Sequence, residues 1–296
     1  MDRRKFLEIS SALGVMSLLP ISCLSASSPK YKMGYQLYSI RDEMEKDPVA
    51  TLKALKDMGY EDFETYGYDA EKRTFYGFKA NEFKTILDDL DLSVSSGHYG
   101  FSELATQPDD KLNEFVDQCI EGAEAIGSRY ITWPWINEVQ RTLDGYKSIA
   151  KQMNLIGERI AQAGLGFAYH NHGYEFQEFD GKSGFDIIIN ETDPALVKIQ
   201  LDLYWVMHSS KNTPAELIAK YPGRYVMWHI KDMDKVTRDY TELGNGSIDY
   251  HKILPDPKVS GLEYYYIEQG GNFTESSMKS AASSAAYFKS DLKQYL

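Results

Sequence analysis

From residue 33 onward the chain alternates short runs of β-branched and aromatic residues with longer stretches of helical period, and no long linker or repeat interrupts it. The first kind of run occupies 33–40, 60–66, 92–98, 130–135, 166–172, 197–205, 225–232 and 262–269, and its composition predicts strands. Between these runs apolar residues recur every three or four positions. Val49, Leu52, Leu55 and Met58 share one helical face, as do Ile149, Met153, Ile156 and Ile160. The last stretch carries Met278, Ala282, Ala285, Phe288 and Leu292 on one stripe. Gly59, Gly127 and Gly164 follow helical stretches, where a left-handed cap is expected. Strands alternating with helices in this way predict an α/β fold, a closed (β/α)8 barrel forming a single domain over residues 27–296. The alternative, an open doubly wound sheet, calls for a Gly-rich first turn, and GYQLYSIRDE has none. The seventh unit is the weakest: 237–255 is irregular, with a short helix over 247–254. Its Leu243-Gly244-Asn245-Gly246 turn is open to two readings, an active-site lid or a surface turn.

The first 26 residues stand outside this pattern. Arg3-Arg4 precede an apolar, Ser-containing stretch too short for a membrane span, the form of a twin-arginine export signal. The expected location is therefore the periplasm, with no membrane span in the mature protein. Cys23 raises lipoprotein anchoring as a minority option, against which Pro20-Ile21-Ser22 fits a lipobox poorly. Without the leader Cys119 is the remaining thiol, so no internal disulfide forms. It shares an apolar helix face with Leu112, Phe115, Val116 and Ile120 and reads as core.

Charge narrows the partners. A formal net charge of −12 argues against nucleic acid, whose phosphates need Lys and Arg, and against an anionic membrane surface. A small, weakly charged molecule is the expected partner, and a homo-oligomer stays open.

Candidate chemistry sits at strand ends, which in a barrel converge on one cavity. They supply Gln36 and Tyr38, Glu64 and Tyr66, His98 and Tyr99, Trp133 and Trp135, His170 and His172, Asp202 and Trp205, His229 and Lys231, and Glu268 and Gln269. His170 in GFAYHNH, Asp202 in VKIQLDLYW, His229 in YVMWHIKD and Glu268 in EYYYIEQ form an N/O donor set suited to one divalent ion, Mn²⁺, Co²⁺, Zn²⁺ or Mg²⁺. Any one alone would read as a core or surface residue; four on successive strand ends predict a metal site. Glu268, His172, His98, Glu64 and Lys231 are the acid–base candidates, with Lys231 alternatively holding an oxyanion. Gln36, Trp135, Trp205 and Tyr99 are candidates for binding a sugar's hydroxyls and apolar faces. Glu175 could orient a ligand from behind, and His208 and His251 read as surface residues.

Over about residues 33–296 the chain resembles the xylose isomerase-like TIM-barrel superfamily of sugar (phosphate) isomerases and epimerases. The resemblance rests on GYQLYSIRD, FETYGY, SGHYG, YHNHGYEF, LDLYW, HIKDMD and the Glu268 strand. It implies a divalent metal held by Glu, Asp, His and Glu from strands five to eight. Asp202, His229 and Glu268 match the last three, and His170 replaces the first glutamate. In the epimerase branch the two glutamates exchange protons on opposite faces of an enediolate, so the replacement puts symmetric epimerisation in doubt. The expected activity is that of a metal-dependent sugar isomerase or epimerase acting through an enediolate on a keto-sugar or cyclic polyol. The alternative is a lyase or hydratase that cleaves 3-keto-glycosides by β-elimination, as some relatives in the superfamily do. A non-catalytic sugar-binding barrel is a third reading, opposed by intact donors on four strands. A phosphodiesterase of the endonuclease IV type would need more histidines than the 6 present.

Overall fold

A computed structural model describes residues 31–107 and 109–296, and the compact unit begins at Tyr31. The leader read over residues 1–26, with Cys23 in it, lies outside the described residues. Among the described residues no helix is long and apolar enough to cross a membrane.

Eight parallel strands close into a barrel. They are β1 (Gly34–Gln36), β2 (Asp62–Thr65), β3 (Ser93–His98) and β4 (Tyr130–Trp133), followed by β5 (Gly166–His170), β6 (Val197–Asp202), β7 (Met227–Ile230) and β8 (Tyr264–Ile267). Each pairs with its neighbours in chain order, and β1 closes the ring against β8 through Tyr35 and Ile267. Each predicted run contains one barrel strand. Several runs overreach because polar side chains end the strand early. Gln36 Oε1 accepts the Tyr38 amide at 3.0 Å, turning the chain into a 3-10 helix over Leu37–Ile40. Asp202 accepts the Trp205 amide at 3.1 Å and so N-caps α6 (Leu203–Ser209), inside the run that reached 205.

Helices cover the outside. In α4 (Leu143–Gln162) the predicted stripe Ile149, Met153, Ile156 and Ile160 is buried. In α1 (Pro48–Asp57) Leu52 and Leu55 face the barrel, but Val49 lies in the first turn beyond the Asp47 cap and is exposed. The last helix, α8 (Ser277–Tyr287), corrects the expected stripe. Ser277, Ser280, Ala281, Ser284 and Ala285 face inward and Ala282 is exposed, because Ser280 donates to Glu242 and Ser284 accepts the Leu243 amide at 3.1 Å. Phe288 and Leu292 resume the apolar face in a final turn over Phe288–Leu292. Cys119 is buried in α3 (Asp109–Ile126), and burial pushes its thiol well above the ordinary pKa, as a core residue requires.

The 243–246 turn is pinned. Asp232 accepts the amides of Gly244 at 2.9 Å, Gly246 at 3.0 Å and Ile248 at 3.2 Å, and Leu243 is buried. A carboxylate holding three amides makes this a fixed turn rather than a hinged lid. The short helix expected over 247–254 is Tyr250–Ile253.

Candidate active site

Parallel register brings the strand ends to one height. Asp202 lies directly beside His229, and His170 beside Gln200, so residues two apart on β6 point into the same interior. One ligand atom each from His170, Asp202, His229 and Glu268 lies within 4.8 Å of the others, and all four residues are buried.

Charges in this cluster are nearly balanced by protein groups. Lys231 Nζ is 2.7 Å from Asp202 Oδ2 and 2.8 Å from Glu268 Oε2. His229 donates through Nδ1 to Glu268 and through Nε2 to Glu64 at 2.6 Å. Burial opposes a charged His229, but Glu64 and Glu268 outweigh it and raise its pKa to about 9. Burial likewise pushes Glu268 up, and Lys231 and His229 more than reverse this, holding it well below the usual carboxylate range. For Asp202 burial wins and its pKa is raised despite Lys231.

These residues fit a divalent ion on three grounds. The buried Nδ1 of His170 has no hydrogen-bond partner. Three carboxylates (Glu64, Asp202, Glu268) face one ammonium and one imidazolium, leaving one negative charge; a divalent ion replacing the imidazolium proton would leave none. The donors are two imidazoles and two carboxylates, a set that suits Zn²⁺, Mn²⁺, Co²⁺ or Mg²⁺.

The other sequence candidates take distinct places. Glu64 does not reach the cavity: fully buried, it accepts from Gln36 Nε2, Ser96 Oγ, Gln200 Nε2 and His229 Nε2, each at 2.6 Å, and lies 3.0 Å from His98 Nε2. Burial raises its pKa, but His98 and His229 prevail and hold it well below the ordinary value, so it stays ionised behind the two imidazoles. Gln36 is buried with it and also donates to His98 Nδ1 at 3.3 Å. His98 lines the cavity with both nitrogens engaged, Nε2 donating to Gln200 Oε1 at 2.8 Å. Among the described residues, only the ring of His172 combines a place on the cavity wall with an unpartnered, buried Nδ1 and a position outside the donor cluster. It stacks on Tyr174 at 5.5 Å, and burial, aided by Lys231, lowers its pKa to about 3, so it is neutral. Trp205 packs behind it, 5.7 Å between ring centroids, and is absent from the wall. Trp135 is 39% exposed at the mouth, whereas Tyr99 is buried with its hydroxyl unpartnered. Glu175 makes no hydrogen bond to the four donors among the described residues. It accepts the His172 amide at 2.9 Å and the Tyr169 hydroxyl, and burial raises its pKa to about 7. His251 is exposed, while His208 is half-buried against Tyr204.

Sequence reasoning missed Gln200, Asn171 and Tyr240. Gln200 was findable, two residues before Asp202 on the same strand face. Asn171 accepts the Asp202 amide at 3.0 Å, a contact between neighbouring strand ends that one-dimensional pattern does not carry. Tyr240 reaches the cavity because Asp232–Met233 pairs antiparallel with Tyr240–Thr241, inside a stretch that looked irregular.

The cavity above the donors measures about 610 Å³. Strands β5–β8 give it His170, His172, Lys231 and Glu268; the ends of β1–β4 give it Tyr38, Tyr66, Tyr68, Tyr99 and Trp135 as well as His98.

A family model described as xylose isomerase-like TIM barrel matches residues 52–256. The inosose dehydratase of Clostridium botulinum is 24% identical over 264 residues, 73% of this chain and 85% of that protein. A Clostridium perfringens inosose dehydratase is 23% identical, over 75% of this chain and 88% of its own. A crystal structure of a sugar phosphate isomerase/epimerase from Parabacteroides distasonis superposes with a TM-score of 0.76 at 25% identity, covering 92% of this chain and 98% of that one.

Proposed function

Because the chain belongs to the xylose isomerase-like TIM-barrel family, we propose that it is a metal-dependent enzyme forming an enediolate from a keto-sugar or cyclic polyol. The convergence of four buried donors beside a neutral, unpartnered histidine carries this reading. His170, Asp202, His229 and Glu268 would hold the ion, which when bound acidifies the hydrogen next to a chelated carbonyl. Glu64 accepts from His229 and fixes the ring that would serve as ligand. His172 is the proton acceptor: its ring is neutral, lines the cavity and leaves Nδ1 without a partner. Lys231 stands where oxygen charge develops on the substrate, and its ammonium is held charged by Asp202 and Glu268 against burial. Glu268, which also lines the cavity, is the alternative to His172 in that role, not a second base beside it. The export-type start of the sequence supports action in the periplasm.

With His170 in place of a carboxylate, one abstracting group serves the reaction, which supports isomerisation over two-base epimerisation. A second reading, elimination of a β-substituent, has the dehydratase relatives behind it, since both routes begin with the same proton. The test is NMR of a keto-sugar with metal-loaded protein in D₂O. Deuterium should enter at the carbon next to the carbonyl, with isomerisation or loss of a β-substituent as net reaction, and His172→Ala should slow uptake roughly 10²- to 10⁴-fold. Rapid C-3 inversion at a rate unaffected by His170→Ala would overturn the proposal.

A further inference from the structure

The two halves of the cavity differ in what they can hold. On the proposed function the donor half would take one keto-ring, with His170, Asp202, His229 and Glu268 holding the ion beneath it. The other half is a wall of aromatic rings, in which Tyr38 and Trp135 remain 43% and 39% exposed. Aromatic surface held open beside a reaction site is the feature that marks a binding surface, because covering it releases water from apolar area. Tyr38 is braced for this by an edge contact to Tyr66 at 5.4 Å and by the Arg41 guanidinium 4.3 Å from its ring. The volume of about 610 Å³ falls in the range of sites that enclose drug-sized ligands, larger than one pyranose.

Phosphate is poorly provided for. Among the described residues lining the cavity Lys231 is the one lysine or arginine, and two carboxylates already hold it. Arg41 Nη1 is taken by the carbonyls of Tyr38 at 2.9 Å and Gly270 at 3.4 Å. Barrels that bind phosphate use the loops after strands seven and eight with a helix N-terminus. Here the N-terminus of α8 is capped by Ser276 and preceded by Glu275.

We infer that the aromatic half is a subsite for a second, uncharged ring, so that the substrate is a keto-glycoside of two rings rather than a sugar phosphate. The inference rests on the proposed function for its orientation, with the reacting ring at the donors and the second ring on Trp135 and Tyr38. Stacking on two aromatic faces is worth roughly tenfold in affinity.

Calorimetry on the full chain tests it with three probes: methyl β-D-glucopyranoside, phenyl β-D-glucopyranoside and glucose 6-phosphate. The phenyl glucoside should bind roughly tenfold tighter than the methyl glucoside, and the phosphate no tighter than the methyl glucoside. Trp135→Ala should bring the phenyl-to-methyl ratio close to one; the side chain is at the surface, and the contacts made to this residue by Ser102 and Trp133 use its carbonyl. Gly100→Leu should do the same by filling the subsite. A Cβ there meets no atom within 4 Å, and φ is −78°, which any residue adopts. Equal affinity for the two glucosides, tighter binding of the phosphate, no binding of the phenyl glucoside at millimolar concentration, or a ratio unchanged in both variants overturns the inference. Two-ring preference without deuterium uptake by any keto-sugar would sink the proposed reaction and leave the subsite standing; the reverse result would do the opposite.

Discussion

Glu175→Gln separates the stability of this site from its function. The carboxyl is fully buried behind His172, accepting its amide at 2.9 and 3.0 Å through the two oxygens, together with the Tyr169 hydroxyl. Burial raises its pKa from 4.5 to about 7. An acid whose pKa is raised in the folded state binds its proton more tightly there than in the unfolded chain. Its stabilising effect is therefore complete below pH 4.5 and is lost as pH rises through about 7. At about 1.4 kcal/mol per unit, the loss by pH 8 is about 3 kcal/mol. Glutamine keeps one carbonyl for the His172 amide and has no charge to bury, but gives up the second acceptor, a cost of about 1 kcal/mol. The variant should thus be about 2 kcal/mol more stable than the parent at pH 8 and no more stable at pH 4.5. For a domain of this size that is a rise in Tm of roughly 4–8 °C at pH 8. Circular-dichroism melts of both proteins across this range are the assay. A Tm difference that does not change with pH would refute the reasoning. Slower deuterium uptake by the stabilised variant would show that the buried charge is retained for activity.

Two further outcomes follow from the donor cluster. On the proposed function, Asp202→Ala removes a charged member of the N/O donor set and should leave the purified protein without a bound divalent ion, measured by elemental analysis; full occupancy would break the ligand assignment. Glu64→Gln keeps an acceptor for His229 but loses the charge that polarises it, and should weaken metal binding roughly 10- to 100-fold by competition with a chelator. Unchanged affinity would reduce Glu64 to a packing residue.

Much of this protein is written locally. Period and turn residues set the eight units, since a strand or helix buries its face according to which of its own residues are apolar. The convergence of the four candidate ligands was legible for the same reason: His170, Asp202, His229 and Glu268 each lie toward the end of a recognisable run, and a barrel carries strand ends to one mouth. Side-chain direction was not legible. Glu64 and His172 look alike in the sequence, a titratable group at a strand end. In the fold the first points beneath His229 into a ring of four hydrogen bonds at 2.6 Å, while the second lines the cavity. Which carboxylate is ionised, which imidazole is charged and where Lys231 sits depend on distances between strands far apart in the chain, and Coulomb and desolvation energies follow those distances. The inward face of α8 escaped for a related reason: Ser280 and Ser284 turn inward to bond Glu242 and Leu243, which lie far off in the chain, and serines carry no hydrophobic signal of their own. Local pattern determines the elements and the candidate groups; only closure of the barrel decides which of those groups meet the substrate and which hold the others in place.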